Sequence, residues 1–249
     1  MHPWFDDPAM LTAAAAVLVV AYFIRGITGF GSGLIAVPLL ALFQPLTFVV
    51  PLMLLLDFTA STLVGGLHLR RVRWAEILPL FPFSIVGVAV GAHLLIGLPH
   101  TPMLVALALF ILAFSVRSLL DLHGEKPVSR AWGVPASLVG GAVGGLFGTG
   151  GPPYVIYMNH RMRDKSELRA TLSALFFFEG LVRIVTFVVA GLLAVREVWV
   201  AYVACLPVVL GALWLGGHAH LGVSRPQMNR LVGGLLLVAG VSLLWKALA

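Results

Sequence analysis

The chain alternates between long apolar runs and short polar gaps along its whole length. The apolar runs cover residues 9–43, 46–67, 75–96, 103–120, 132–158, 170–194, 198–217 and 227–246. A transmembrane helix needs about 20 apolar residues, so the pattern predicts an all-α polytopic membrane protein with about eight transmembrane segments. Two runs, 9–43 and 132–158, are interrupted by the glycine clusters "GITGFGSG" and "GGLFGTGG".

Composition supports a membrane location. Of the 249 residues, 60% are hydrophobic and 10% are charged, and the mean hydropathy is +1.02. A soluble domain carries about 25% charged residues, so lipid must solvate most of this chain. The single cysteine, Cys205, excludes an internal disulfide framework and a thiolate metal site. No metal and no other cofactor is expected.

The net charge of +6 is better explained by membrane topology than by nucleic acid, because the cations fall in short gaps between apolar runs. The positive-inside rule places these gaps on the cytoplasmic side; they hold Arg70, Arg71, Arg73, Lys126, Arg130, Arg161, Arg163, Lys165, Arg169, Arg225 and Arg230. Both termini are then predicted on the outer, periplasmic side. Since the gaps on both sides of 132–158 are basic, this run must enter and leave on one side, as a re-entrant hairpin bent at its glycines.

The two halves of the sequence, 1–122 and 123–249, are predicted to be repeats of inverted topology. Each half begins with a glycine-broken hairpin and continues with three crossings, but the two hairpins open to opposite sides. A shift of 119 residues relates Gly26, Gly29 and Gly31 to Gly145, Gly148 and Gly150. A shift of 125 residues relates Trp74, Pro82, Gly91, His93, Gly97 and Met103 to Trp199, Pro207, Gly216, His218, Gly222 and Met228.

The glycine clusters predict where a ligand binds. In hydrocarbon, irregular backbone survives only where it is buried in protein or lines a wet cavity. Two matched breaks therefore predict a cavity near the middle of the bilayer, as in inverted-repeat transporters. Pro152 and Pro153 suit the first turn of a new half-helix, whose positive N-terminal end favours an anion. The competing interpretation, close helix packing at glycine, is less favoured because the breaks are matched.

Charged residues inside apolar runs need a reason, since each costs about 2.5–3.5 kcal/mol at the bilayer centre. Arg25 lies beside the first break and either binds the anion or snorkels to the interface. Arg183 lies within 170–194 and is a second candidate for anion binding. Glu179, four residues earlier, either pairs with Arg183 or carries a coupled proton. Asp57 could face the cavity, pair with either arginine, or carry the proton.

The motifs "GITGFGSGLIAVPLLALF", "RRVRW" and "GGLFGTGGPPYVIYM" resemble the TauE/SafE (sulfite exporter, TSUP) family of bacterial membrane transporters, over essentially the whole chain. The resemblance implies transport of sulfite, sulfoacetate, thiosulfate or related organosulfonates across the inner membrane, by proton-driven export in several members and uptake in others. The matching motif positions are Gly26, Gly29, Gly31, Gly33, Gly145, Gly148, Gly150 and Gly151. Many relatives have asparagine near the position of Asp57. An acid beside an anion site needs a proton or an arginine partner.

The sequence favours a secondary transporter whose partners are a small anion, protons and membrane lipid, without nucleic acid; a homodimer is left open. Predicted proton carriers are Asp57 and Glu179, and predicted substrate-binding residues are Arg25, Gly26, Thr28, Gly29, Gly31, Ser32, Gly33, Gly148, Thr149, Gly150, Gly151, Pro152 and Arg183. An enzyme is disfavoured because neither HExxH nor GxSxG occurs. The alternative is a transporter or channel for another small anion, a carboxylate or a metal cation.

Overall fold

Helices account for nearly all of the chain that the computed structural model describes, which is residues 8–65, 71–120, 128–162, 164–219 and 225–248. No β-strand occurs in these ranges. The helices are α1 (Pro8–Thr28), α2 (Ser32–Leu40), α3 (Leu46–Gly65), α4 (Trp74–Ile77), α5 (Phe81–Gly97), α6 (His100–Leu119), α7 (Gly133–Phe147), α8 (Gly151–Arg161), α9 (Lys165–Val189), α10 (Arg196–His218) and α11 (Arg225–Leu248).

Seven helical segments of the described chain are long and apolar enough to cross a membrane: Pro8–Thr28, Leu46–Leu63, Trp74–Gly97, His100–Leu119, Ser166–Val189, Arg196–His218 and Arg230–Leu248. The predicted all-α polytopic membrane fold is confirmed. The two arms of the second hairpin, α7 and α8, have 15 and 11 residues. At 1.5 Å per residue, neither reaches the roughly 30 Å thickness of the hydrocarbon core.

Helix boundaries differ from the apolar runs where polar capping or proline decides them. Helix α9 begins at Lys165, five residues before the predicted run, because the Asp164 side chain accepts a hydrogen bond from the Glu167 N–H at 2.8 Å. The predicted run 75–96 is divided by a 3₁₀ turn, Leu78–Leu80, which contains a proline. Of the residues used for the topology and repeat predictions, Arg70, Lys126, Arg163 and Gly222 lie outside the described residues.

The chain divides into two compact units. The first unit contains Met1–Val49, Leu98–His123 and Glu197–Ala249, and the second contains Val50–Gly97 and Gly124–Arg196. Each unit therefore takes helices from both halves of the sequence. The first contains the first glycine-broken hairpin, α1 and α2, and the second contains the second such hairpin, α7 and α8.

In the first unit, α1 packs against α10 through glycine. A Cβ atom on Gly26 would lie 2.6 Å from the carbonyl oxygen of Leu213 and 2.7 Å from the backbone nitrogen of Gly217. A Cβ atom on Gly216 would overlap the carbonyl oxygen of Phe23. Only hydrogen fits at these two positions, so the glycines allow the two backbones to touch.

In the second unit, α7 packs against α5 in the same way. A Cβ atom on Gly145 would lie 2.5 Å from the carbonyl oxygen of Val88, and one on Gly91 would overlap the carbonyl oxygen of Ala142. The two sequence offsets relate Gly145 to Gly26 and Gly91 to Gly216. Residues at matching sequence positions therefore make matching contacts, once within each unit.

Candidate functional site

The first helix interruption is a glycine turn between α1 and α2. Helix α1 ends at Thr28, and the N–H of Gly29 donates to the carbonyl oxygen of Arg25 at 2.7 Å. Gly29 and Gly31 have φ angles of 87° and 97°, in the left-handed region. A residue with a side chain is strained there, which explains why glycine is needed in this turn.

The polar side chains of the first turn bind to one another and to the turn backbone. Arg25 is buried, and its Nη1 donates to the Ser32 hydroxyl at 2.8 Å, which joins the end of α1 to the start of α2. The Thr28 hydroxyl lies 2.8 Å from the carbonyl oxygen of Ile24 and 2.7 Å from that of Phe30. These contacts fix the shape of the turn.

The second interruption begins with the same backbone geometry as the first, but Gly150, the counterpart of Gly31, has a φ of −62° where Gly31 has 97°. Helix α7 ends at Phe147, and the N–H of Gly148 donates to the carbonyl oxygen of Gly144 at 2.9 Å. Gly148 has a φ of 69°, and the offset of 119 relates it to Gly29. Helix α8 then begins at Gly151, so Pro152 lies in the first turn, as predicted. Because prolines have no N–H, Pro152 and Pro153 leave amide donation at this end to Gly151 and the residues before it.

Three buried atoms at the second turn have no hydrogen-bond partner. Among buried side-chain nitrogen and oxygen atoms of the described residues, the unpartnered ones are Thr149 Oγ1, Glu179 Oε1 and Arg183 Nε. Their residues are 4%, 2% and 6% exposed, respectively. Buried polar groups are normally paired, and each exception needs a reason. All three exceptions belong to residues that the sequence marked as candidates.

Two glycines make room for the Glu179 carboxyl. A Cβ atom on Gly144 would overlap Glu179 Oε1, and one on Gly150 would lie 2.9 Å from it. Nη1 of Arg183 donates to the carbonyl oxygen of Gly144 at 3.3 Å. The three unpartnered atoms therefore belong to residues that form or contact the backbone between Gly144 and Gly150. We call this group of Gly144, Thr149, Gly150, Glu179 and Arg183 the second-turn site.

Each of the two glycine turns has a buried arginine beside it. The offset of 119 relates Gly144, whose carbonyl oxygen binds Arg183, to Arg25. Each unit thus has one buried guanidinium beside its glycine turn, from α1 in the first and from α9 in the second. The remaining predicted residue, Asp57, is buried in α3 of the second unit. It precedes Phe58, whose ring stacks on Phe177 of α9 with centroids 5.1 Å apart.

Tyr154, which the sequence did not single out, braces the second hairpin. The Tyr154 hydroxyl lies 2.8 Å from Ser84 Oγ on α5 and 3.3 Å from the carbonyl oxygen of Ser137 on α7. A Cβ atom on Gly140 would lie 2.5 Å from its ring, so α8 and α7 approach closely. A tyrosine directly after a glycine and proline cluster was the available sequence signal.

An ionic cluster at the far end of α8 was also not predicted from the sequence. Nε and Nη2 of Arg161 donate to the Glu76 carboxylate at 3.1 and 2.7 Å. Arg130 donates to the same carboxylate at 3.4 Å. Glu76 lies in the first-half segment α4, so the cluster ties α8 to an element 85 residues away in sequence. No local pattern predicts such a contact.

The second-turn site has the chemistry of an anion site with an added acid. Arg183 Nε and the Thr149 hydroxyl can donate to an oxyanion, and the α8 N-terminus adds the positive end of a helix dipole. Burial strengthens such interactions because water does not compete. The Glu179 carboxyl can accept a hydrogen bond when ionised and donate one when protonated.

Comparison with known proteins identifies one matching family and two similar proteins. The family model "Sulfite exporter TauE/SafE" matches residues 13–243. The chain is 30% identical to the "Probable inner membrane transporter protein TsaS" of Comamonas testosteroni, over 78% of this chain and 83% of that protein. It is 27% identical to the "Probable sulfite/organosulfonate exporter TauE" of Cupriavidus necator, over 96% of this chain and 95% of that protein.

No solved structure matches the chain significantly. Each match covers most of the relative's length. The family model spans both glycine turns and all the residues of the second-turn site. The family consists of transporters and not of enzymes, as the sequence predicted. The chain belongs to the TauE/SafE family of sulfite-exporter-type membrane transporters.

Proposed function

We propose that this protein is a secondary transporter that exports a small sulfur-containing anion, such as sulfite, sulfoacetate or a related organosulfonate, with proton coupling. The names of two relatives, a probable inner membrane transporter and a probable sulfite/organosulfonate exporter, support this substrate class and an inner-membrane location. The positive-inside distribution of Lys and Arg supports termini on the periplasmic side.

The second-turn site is the observation that carries the proposal. A buried arginine is expensive in a membrane unless it is paired or functional. Here Nη1 of Arg183 has a partner, the carbonyl oxygen of Gly144, while Nε has none. An anionic oxygen would pair with Nε and with the Thr149 hydroxyl, and it would offset the charge of the guanidinium. A hydrogen bond to a charged group contributes about 1.5–3 kcal/mol, so the two together contribute about 3–6 kcal/mol, which is in the range of millimolar affinity.

Alternating access follows from the proposed inverted repeat. The matching contacts of Gly26 with α10 and of Gly145 with α5 support the repeat, because each joins a broken hairpin to a helix of the other half. In transporters of this kind, the two repeats expose one midplane site to each side in turn. We propose that each glycine turn offers binding groups within its own unit, the first with Arg25 and the second with Arg183.

Transport by reconstituted protein tests this function. Proteoliposomes should move labelled sulfite and sulfoacetate, and an imposed pH gradient should change the flux. Arg183→Ala should lower the flux by about 10-fold or more, the equivalent of losing one charged hydrogen bond. The matched control is Arg196→Ala, at an exposed arginine that begins α10.

Three results would argue against the proposal. Undiminished flux in Arg183→Ala would remove that residue from the mechanism. Flux that ignores the pH gradient would favour a channel or an uncoupled carrier. Faster flux of carboxylates than of sulfur anions would assign a different substrate class.

A further inference from the structure

The second-turn site contains an acid where an anion would bind. Glu179 Oε1 is an unpartnered buried oxygen, held against Gly144 and Gly150 beside the unpartnered Thr149 and Arg183 atoms. A sulfonate has only acceptor oxygens. An ionised Glu179 would therefore add a second negative group, also an acceptor, to the same small space, and like charges at close range repel.

Protonation removes this conflict. A protonated carboxyl donates one O–H hydrogen bond, so a neutral Glu179 becomes a third donor beside Arg183 and Thr149. We infer that Glu179 takes up a proton from solvent when a sulfonate-type anion binds, and donates it in a hydrogen bond to that anion. The inference rests on the proposed function and specifies how the anion and the coupled proton share one site.

The surroundings of Glu179 leave it the best-placed proton carrier. Helix α7 has no titratable side chain, and the Tyr154 hydroxyl of α8 is engaged by Ser84. On α5, His93 is exposed, and on α4, Glu76 is paired with Arg161. Arg183 lies on the same helix and Asp57 on α3. The other charged or titratable residues of these helices are Tyr157, His160 and Arg161 towards the end of α8, and Lys165, Glu167 and Arg169 at the start of α9, ten or more residues before Glu179.

The consequence is a linked binding equilibrium. The anion binds tightly only when Glu179 is protonated. A protonated Glu179 leaves the charge of Arg183 unbalanced until the anion binds. Anion and proton therefore enter and leave the second-turn site together and cross the membrane in the same direction. A doubly charged anion with one proton keeps one negative charge, so an inside-negative membrane potential, and not the proton gradient, favours its export. A transporter built this way couples the two flows without a separate proton pathway through the anion site.

Calorimetry on the purified, detergent-solubilised protein tests the inference. Sulfoacetate is titrated in two buffers of different ionisation enthalpy between about pH 6 and 8, where its sulfonate and carboxylate groups both stay ionised. We expect uptake of a substantial fraction of one proton per anion bound. Over the same range, affinity should fall with rising pH, by up to about tenfold per pH unit.

Variants assign the proton to its residue. Glu179→Gln places a permanent N–H donor beside the anion, so it should bind sulfoacetate without proton uptake and with affinity independent of pH. Glu197→Gln, at an acid in the first turn of α10, should keep the uptake of the wild-type protein.

The outcomes separate the inference from the function. Sulfoacetate binding by the wild-type protein without proton uptake would overturn the inference and leave the proposed function standing. Uptake that persists in Glu179→Gln would move the proton to another residue and also overturn it. No binding of sulfoacetate or sulfite by the wild-type protein would overturn the proposed function, and the inference with it.

Discussion

Substitution of Gly144 by alanine tests whether the position of the Glu179 carboxyl controls anion binding. The added methyl carbon would overlap Glu179 Oε1, while the next nearest atom, the Cα of Gly150, would be 3.5 Å away in ordinary contact. The overlap thus concerns the end of one flexible side chain. The backbone can stay in place while the carboxyl moves.

The size of the effect follows from contact distances and hydrogen-bond energies. An ordinary nonbonded contact is about 3.5 Å, so the carboxyl must move by roughly 1 Å. That movement breaks a hydrogen bond made to a charged ligand, which is worth about 1.5–3 kcal/mol. Sulfoacetate affinity should fall by about 10-fold to 150-fold. Stability should change little, because the preference for alanine over glycine in a helix, about 1 kcal/mol, offsets the cost of moving the Glu179 side chain.

The assay measures sulfoacetate affinity and thermal unfolding of each variant in detergent. Gly211→Ala is the control for a harmless methyl group, since a Cβ atom there meets nothing within 4 Å. Gly145→Ala is the contrasting case, because its Cβ atom would lie 2.5 Å from the backbone oxygen of Val88. It should lose stability, whereas Gly144→Ala should lose affinity.

Wild-type affinity in a stable Gly144→Ala protein would refute the reasoning. If Gly144→Ala proves unstable, Glu179→Asp provides the second test. It withdraws the carboxyl by one methylene without crowding any backbone, and the same loss of affinity is expected. Unchanged affinity in Glu179→Asp would equally contradict the role of the carboxyl position.

Two further predictions concern stability, each measured by unfolding in detergent. Gly26→Ala should destabilise the protein by about 1–3 kcal/mol through overpacking against α10. Gly217→Ala should not, because the space around its Cβ position is open. Equal stability of the two variants would contradict the close helix contact. Arg161→Ala should cost about 1–3 kcal/mol because it removes two hydrogen bonds from a buried carboxylate. Arg130→Ala should cost less than about 1 kcal/mol, since that side chain is 66% exposed; a larger loss for Arg130→Ala than for Arg161→Ala would reverse this assignment.

The sequence predicted the parts of the fold that depend on local composition. Apolar length located the helices, and glycine density located both interruptions, because only glycine adopts positive φ at Gly29 and Gly148 without strain. The sequence offsets related glycines that make similar close contacts in the structure, Gly26 with Gly145 and Gly91 with Gly216. The start of α9 at Lys165, five residues upstream of the apolar run, depends on a capping hydrogen bond to Asp164 that hydropathy does not register.

The candidate site was predicted in kind but not in detail. A charged residue in an apolar run stands out on energetic grounds, which is how Glu179 and Arg183 were identified. A spacing of four residues made pairing one of two interpretations; in the structure Nη1 of Arg183 donates to the Gly144 carbonyl, and Glu179 Oε1 rests against glycine. The contact with α7 joins residues 39 apart in sequence, and no helical periodicity encodes it.

A structure determined with bound sulfoacetate would test the central claim most directly, namely that the second-turn site holds the transported anion. The account predicts a sulfonate oxygen within about 3.2 Å of Arg183 Nε and of Thr149 Oγ1, with the Glu179 carboxyl in hydrogen-bond contact. Sulfoacetate bound elsewhere, with Arg183 Nε and Glu179 Oε1 still free of contact with it, would contradict the account.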